Sequence, residues 1–159
     1  MTDAAIAIEW RRLALLLLGV PQAGIGVWAI VAPMGWYDSF PGAGHHWLPA
    51  FGPYNEHFAV DAGAGLLAAG VLAIVAAAWL ERRVVCVAMI GFLAWSVPHA
   101  IYHLTALDAL DAGDNVVNVG LLALTVVVPV VLLATAGGIP EPGAQAPRRS
   151  ERVARMPRP

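Results

Sequence analysis

Two short stretches hold most of the side chains in this chain that could do chemistry. The first is Asn55-Glu56-His57-Phe58-Ala59-Val60-Asp61, and the second is Pro98-His99-Ala100-Ile101-Tyr102-His103. His57 and Asp61 are four residues apart, as are His99 and His103, so each pair shares one face if its segment is helical. Three imidazoles and a carboxylate are a sufficient ligand set for zinc, and imidazole also suits copper or iron. The expected metal ligands are therefore His57, Asp61, His99 and His103. Glu56 would then either hydrogen-bond to a ligand and orient it or act as general base on a metal-bound water. Without a metal, His99 or His103 can still serve as acid or base, tuned by Asp61 or Glu56. The structural alternative is a polar cluster that fixes helix register, with Asp61 bonded to His99 and no ion.

Other polar residues fall near these two stretches. Gln22, Asn55, Asn115 and Asn118 are candidate pocket residues, and Ser96 lies three residues before His99. His45 and His46 are expected to be exposed in a connector, and Asp108, Asp111 and Asp114 to form a solvated acidic loop. No Gly-x-Ser-x-Gly elbow, phosphate-binding glycine loop or Cys-x-x-Cys pair is present, and Cys86 stands alone.

The elements that must carry these residues are set by hydropathy. Of the 159 residues, 59% are hydrophobic and only 13% charged, with a mean hydropathy of +0.70. An ordinary soluble domain has about 25% charged residues. The apolar residues gather into runs of about 20, the length needed to cross about 30 Å of hydrocarbon. The expected fold is all-α, a four-helix transmembrane bundle over residues 1–136, with spans at 13–32, 58–80, 84–104 and 116–136. Residues 1–10 read as a short lead-in, and the Arg/Pro-rich segment 137–159 as a disordered tail. Pro98 should kink or loosen the third span. Between the first two spans lies a long connector rich in Pro, Gly and aromatic residues, either a lid over a site or an interfacial anchor.

Charge placement gives the topology. All basic side chains other than histidine are arginine, nine in number, and four spans put every one of them on one side. That side is read as cytoplasmic, with both termini inside and the 33–54 connector outside, in the cytoplasmic (inner) membrane. The five histidines and six acids (Asp38, Glu56, Asp61, Asp108, Asp111, Asp114) fall toward the opposite face.

The four-span plan resembles small bacterial membrane proteins of the DoxX-like type, and the Gly52-Pro53-Tyr54-Asn55-Glu56-His57 and Pro98-His99-Ala100-Ile101-Tyr102-His103 stretches resemble those of actinobacterial membrane proteins. That resemblance brings no activity with it. The architecture is also similar to that of the four-helix sterol-isomerase-like enzymes, which use His and carboxylates in a lipid-accessible pocket. The expected function is a metal site, and an enzyme acting on a lipid-like or small apolar substrate. The alternatives are a metal-free isomerase working by proton transfer, or an accessory or transport subunit needing an oligomer or partner. Nucleic acid is not an expected ligand.

Overall fold

Each long helix starts or stops for a local reason. The computed structural model describes residues 3–139, with side chains from Ile8 onward. Helix α1 is Asp3–Val31 and passes unbroken through Pro21. A short helix α2, Pro33–Ser39, begins on a proline, whose missing N–H costs nothing at that position. A 3-10 turn, Leu48–Phe51, follows in the connector. Helix α3, Glu56–Trp79, starts where Asn55 Oδ1 accepts a hydrogen bond from the Phe58 N–H at 3.2 Å, with Glu56 in the first turn opposing the helix dipole. It ends at Leu80, which is left-handed at φ 47°. Helix α4 is Arg82–Thr105. Helix α5, Ala112–Ala134, is capped by Asp111, whose Oδ1 accepts from the Asp114 N–H at 2.9 Å. A last 3-10 turn covers Ala136–Gly138.

Four of these helices are long and apolar enough to cross a membrane: Ile8–Val31 of α1, then α3, α4 and α5, with 24, 24, 24 and 23 residues. At about 1.5 Å per residue, each reaches about 35 Å. Leu17, Val31, Val87, Ile90 and Val116 turn their side chains outward, as lipid-facing residues must.

The tightest packing is between α1 and α3. It is antiparallel, with Gly19 against Gly70 and Gly26 against Gly63. A methyl group on Gly26 would fall 2.5 Å from the Leu67 nitrogen and 2.7 Å from the Gly63 oxygen. One on Gly63 would fall 2.9 Å from the Ala29 side chain, and one on Gly70 would meet the Ala23 backbone. In lipid, where tails are as apolar as leucine, such close backbone approach drives association. Helix α4 packs on α3 and α5, while α1 touches α5 only lightly.

The interior divides by level. At the end holding the 80–81 turn, called the arginine end here, Leu15, Leu18, Ala73, Met89, Phe92 and Leu132 form one apolar core. At the opposite, connector end, Ala29, Trp36, Ala59 and Leu66 form a second. Arg11 is buried at the arginine end and donates from Nη2 to the Thr135 carbonyl at 2.9 Å. A guanidinium there satisfies a carbonyl at the C-terminus of α5 and complements its dipole.

Several expectations change. The lead-in is not a separate segment: residues 3–10 continue α1, because nothing between Asp3 and Arg11 breaks a helix. The chain stays ordered past 136, since Ile139 is buried in the arginine-end core. The remainder of the expected tail, residues 140–159, lies outside the described residues.

The glycine face makes a sharp prediction. Gly26→Leu or Gly63→Leu overpacks the α1/α3 contact and costs at least about 1–3 kcal/mol, read as a clear drop in melting temperature in detergent. Gly24→Leu and Gly120→Leu, where a Cβ meets nothing within 4 Å, leave the melting temperature unchanged or slightly raised.

Candidate functional site

Helix α4 presents one stripe to the interior: Val85, Met89, Phe92, Ser96, His99 and His103, at alternating spacings of four and three. Its arginine half is apolar and its connector half is polar. Ser96 and His103 are buried and His99 is half-buried.

His103 is 8% exposed, and its Nδ1 lies 3.1 Å from Nδ2 of the buried Asn118 on α5. An amide nitrogen can only donate, so Nδ1 accepts and the ring proton resides on Nε2. The His99 ring stands edge-on to His103 at 4.7 Å between centroids, and stacks on Trp95 at 4.6 Å with 29° between planes. Gly65 of α3 leaves room for that indole, since a Cβ there would lie 3.2 Å from Trp95 Nε1.

The connector closes over this pair. Phe51 sets its ring edge-on to His103 at 4.6 Å and also meets Tyr102 at 6.1 Å. His45 Nδ1 reaches across to Asp114 Oδ1 of α5 at 2.8 Å, fastening the connector to the far side of the bundle. Gly42, Ala43 and Gly44 all have positive φ, which turns the chain between Phe40 and His45. His46 Nδ1 donates to the Asp38 carbonyl within the connector. His45 is exposed, as expected, and is paired with Asp114.

Deeper in the interior, the polar stripe continues with unpaired groups. Ser96 Oγ and Gln22 Nε2 are both buried without a hydrogen-bond partner among the described residues. Gln22 follows Leu15 and Leu18 along the same face of α1, and Ser96 follows Met89 and Phe92 along α4.

The expected four-ligand metal site does not form. His57 and Asp61 pair with each other at 3.3 Å, with side chains 79% and 63% exposed. The reason is rotational: α3 buries Ala59, Gly63 and Leu66, and a residue two positions away points about 200° around the helix. Packing of the glycine face against α1 thus turns His57 and Asp61 outward, away from the His99/His103 stripe. Among the described residues, no three His, Cys, Asp or Glu side chains form a group that could hold a metal ion. Glu56 is exposed in the first turn of α3. Asn55 caps α3 and lines a small concavity at the connector end, while Asn115 donates from Nδ2 to the Leu107 and Leu110 carbonyls at 2.6 and 2.9 Å, holding the α4–α5 turn. Gln22 and Asn118 do face the interior as expected.

Sequence reasoning passed over Phe51, Trp95 and the His45–Asp114 contact. Trp95 carried a signal, four residues before His99 on the same face; Phe51 and His45 carried none, because their positions depend on the path of the connector. No family model, curated protein or solved structure matches the chain.

Stability separates the two histidine pairs. Asn118→Leu strands a buried imidazole nitrogen and costs about 1–3 kcal/mol, whereas Asp61→Asn breaks an exposed pair worth about 0–1 kcal/mol. Thermal unfolding in detergent should show a lower midpoint for the first and almost none of that change for the second.

Proposed function

We propose that this is an integral membrane protein whose extracytoplasmic half holds a proton-transfer site, formed by His99 and His103, for a lipid-like or small apolar molecule. The nine arginines on the opposite side supply the orientation, with both termini cytoplasmic. The observation that carries the reading is the hydrogen bond from Asn118 to His103 Nδ1, which leaves a defined Nε2–H beside a second imidazole 4.7 Å away. A buried pair of that kind can take a proton from a C–H bond with one ring and return it at a neighbouring carbon with the same ring or the other. The double bond moves, and no electrons are gained or lost. Trp95, Phe51 and Tyr102 exclude water around the pair, which strengthens such transfers.

Two features favour an apolar substrate. A groove of about 290 Å³ runs between α4 and α5, lined by Val97, Ala100, Leu104, Val119, Leu122 and their apolar neighbours. Leu104 follows His103 in sequence and Leu122 sits one turn from Asn118, so an acyl or isoprenoid chain in the groove would reach the level of the pair on a neighbouring face of α4. The interior also ends blindly, since Leu15, Leu18, Met89, Phe92 and Leu132 fill its arginine end. A closed end suits a site better than a conduit, which weighs against the transport reading.

The competing reading is metal chemistry at the same place. His99 and His103 are four apart on one helix and their rings are in contact, but they supply two donors where zinc takes four ligands or three plus water. His103 Nδ1 is moreover already engaged by Asn118.

Proteoliposomes in D₂O, supplied with lipid extracted from the host membrane, test both readings by mass spectrometry. The expected result is deuterium entering a carbon-bound position of one lipid class, slowed at least about 100-fold by His99→Ala or His103→Ala and indifferent to chelators. Exchange lost on chelation and restored by zinc, copper or iron would establish the metal reading instead, and exchange unaffected by either substitution would refute both.

A further inference from the structure

A second concave site lies beside the histidine pair at the connector end. It is a cup of about 220 Å³ lined by Trp36, Tyr37, Phe51 and Phe58, with Leu48, Gly52, Pro53, Asn55 and Ala59 completing the wall. Its volume is below the roughly 300 Å³ at which drug-sized pockets begin, which suits a small group such as a headgroup. Phe51 is shared, facing His103 on one side and the cup on the other.

Three of the four rings are held in place before any ligand arrives. Trp36 is 8% exposed within the connector-end core. Tyr37 donates its hydroxyl to the Gly52 carbonyl at 2.7 Å and meets Tyr54 edge-on at 5.3 Å. Phe51 is fixed against His103 and Tyr102. Phe58 is the mobile-facing exception, largely exposed at the first turn of α3 and resting near His57.

The charges around the cup are negative. Asp38 follows Tyr37 and Glu56 follows Asn55. The Tyr54 hydroxyl, whose ring meets that of Tyr37, is held above its ordinary pKa of 10.0 by desolvation and then by the Glu56 and Asp38 carboxylates, so both acids lie near Tyr54. No arginine or lysine occurs anywhere between Arg12 and Arg82. Two histidines adjoin the cup's rings: His103 is engaged by Asn118 behind Phe51, and His57 beside Phe58 is paired with Asp61. Preformed aromatic rings with two carboxylates nearby attract a poorly hydrated organic cation through the ring quadrupole and through plain Coulomb attraction. An anion would meet repulsion there.

We infer that this aromatic cup binds an alkylammonium group, supplied either by a phospholipid headgroup of the adjoining leaflet or by a free quaternary amine. The inference is independent of proton transfer at His99 and His103, because it concerns binding alone.

Isothermal titration calorimetry in neutral detergent provides the test, with choline as probe and 3,3-dimethylbutan-1-ol as its uncharged isostere. Choline should bind saturably, the alcohol about tenfold or more weakly, a difference of roughly 1.4 kcal/mol. Phe58→Leu, at an exposed position that does not endanger folding, should weaken choline about threefold to tenfold, with Tyr37→Leu confirming the direction. Native mass spectrometry then separates the sources: retention of phosphatidylcholine or phosphatidylethanolamine over phosphatidylglycerol identifies a lipid headgroup, and choline binding without such retention identifies a free amine. Equal affinity for choline and the alcohol, choline binding unchanged in both variants, or the absence of both choline binding and selective lipid retention would overturn the inference.

Discussion

The close approach of α1 and α3 fixes nearly everything else. With Gly19, Gly26, Gly63 and Gly70 letting two backbones touch, α3 has one rotation available to it. That rotation buries Ala59, Gly63, Leu66 and Ala73 and turns Val60, His57 and Asp61 away from the bundle interior to varying degrees. Helix α4, joined to α3 by the turn at Leu80 and Glu81, then brings its own stripe inward. The polar interior is built from whichever residues those two rotations leave facing one another, which are Ser96, His99 and His103 from α4 and Asn118 from α5.

How much of this was legible in the sequence depends on the kind of information needed. The four spans followed from hydropathy alone, because an apolar run of that length has few other uses, and their boundaries held to within about four residues for α3, α4 and α5. The pairing of His99 with His103 was legible too, since a spacing of four on one helix needs no knowledge of neighbours. The convergence of His57 and Asp61 on that pair was not. It required the relative rotation of two helices, and the glycines that decide it point to small-residue packing without saying which polar stripe loses. In the same way, Asn115 and Asn118 looked alike in sequence, yet one holds a turn and the other holds an imidazole.

The interior shows a division of labour by level. At the arginine end, leucine, methionine and phenylalanine fill the space, and the buried Arg11 donates to the carbonyl of Thr135. Toward the connector end, the same helical stripes switch to serine, histidine and asparagine, and the connector lays Phe51 over them and fastens across to Asp114 through His45. Polar groups in a membrane interior are costly and usually mark a pathway or a site. Here they stop short of the far end, and two of them, Gln22 Nε2 and Ser96 Oγ, lack partners among the described residues. That arrangement leaves hydrogen-bonding capacity for something that enters, beneath a pair of imidazoles already oriented by Asn118 and Trp95.

The central claim is that Asn118 holds His103 as a neutral ring with its proton on Nε2. Nitrogen-15 NMR of histidine-labelled protein in lipid nanodiscs, with His103 assigned by the His103→Gln spectrum, measures this directly. The account predicts a protonated Nε2 and a hydrogen-bonded, unprotonated Nδ1 at neutral pH, with the Nδ1 signal moving in Asn118→Leu. A proton on Nδ1, or a His103 spectrum indifferent to Asn118, would contradict it.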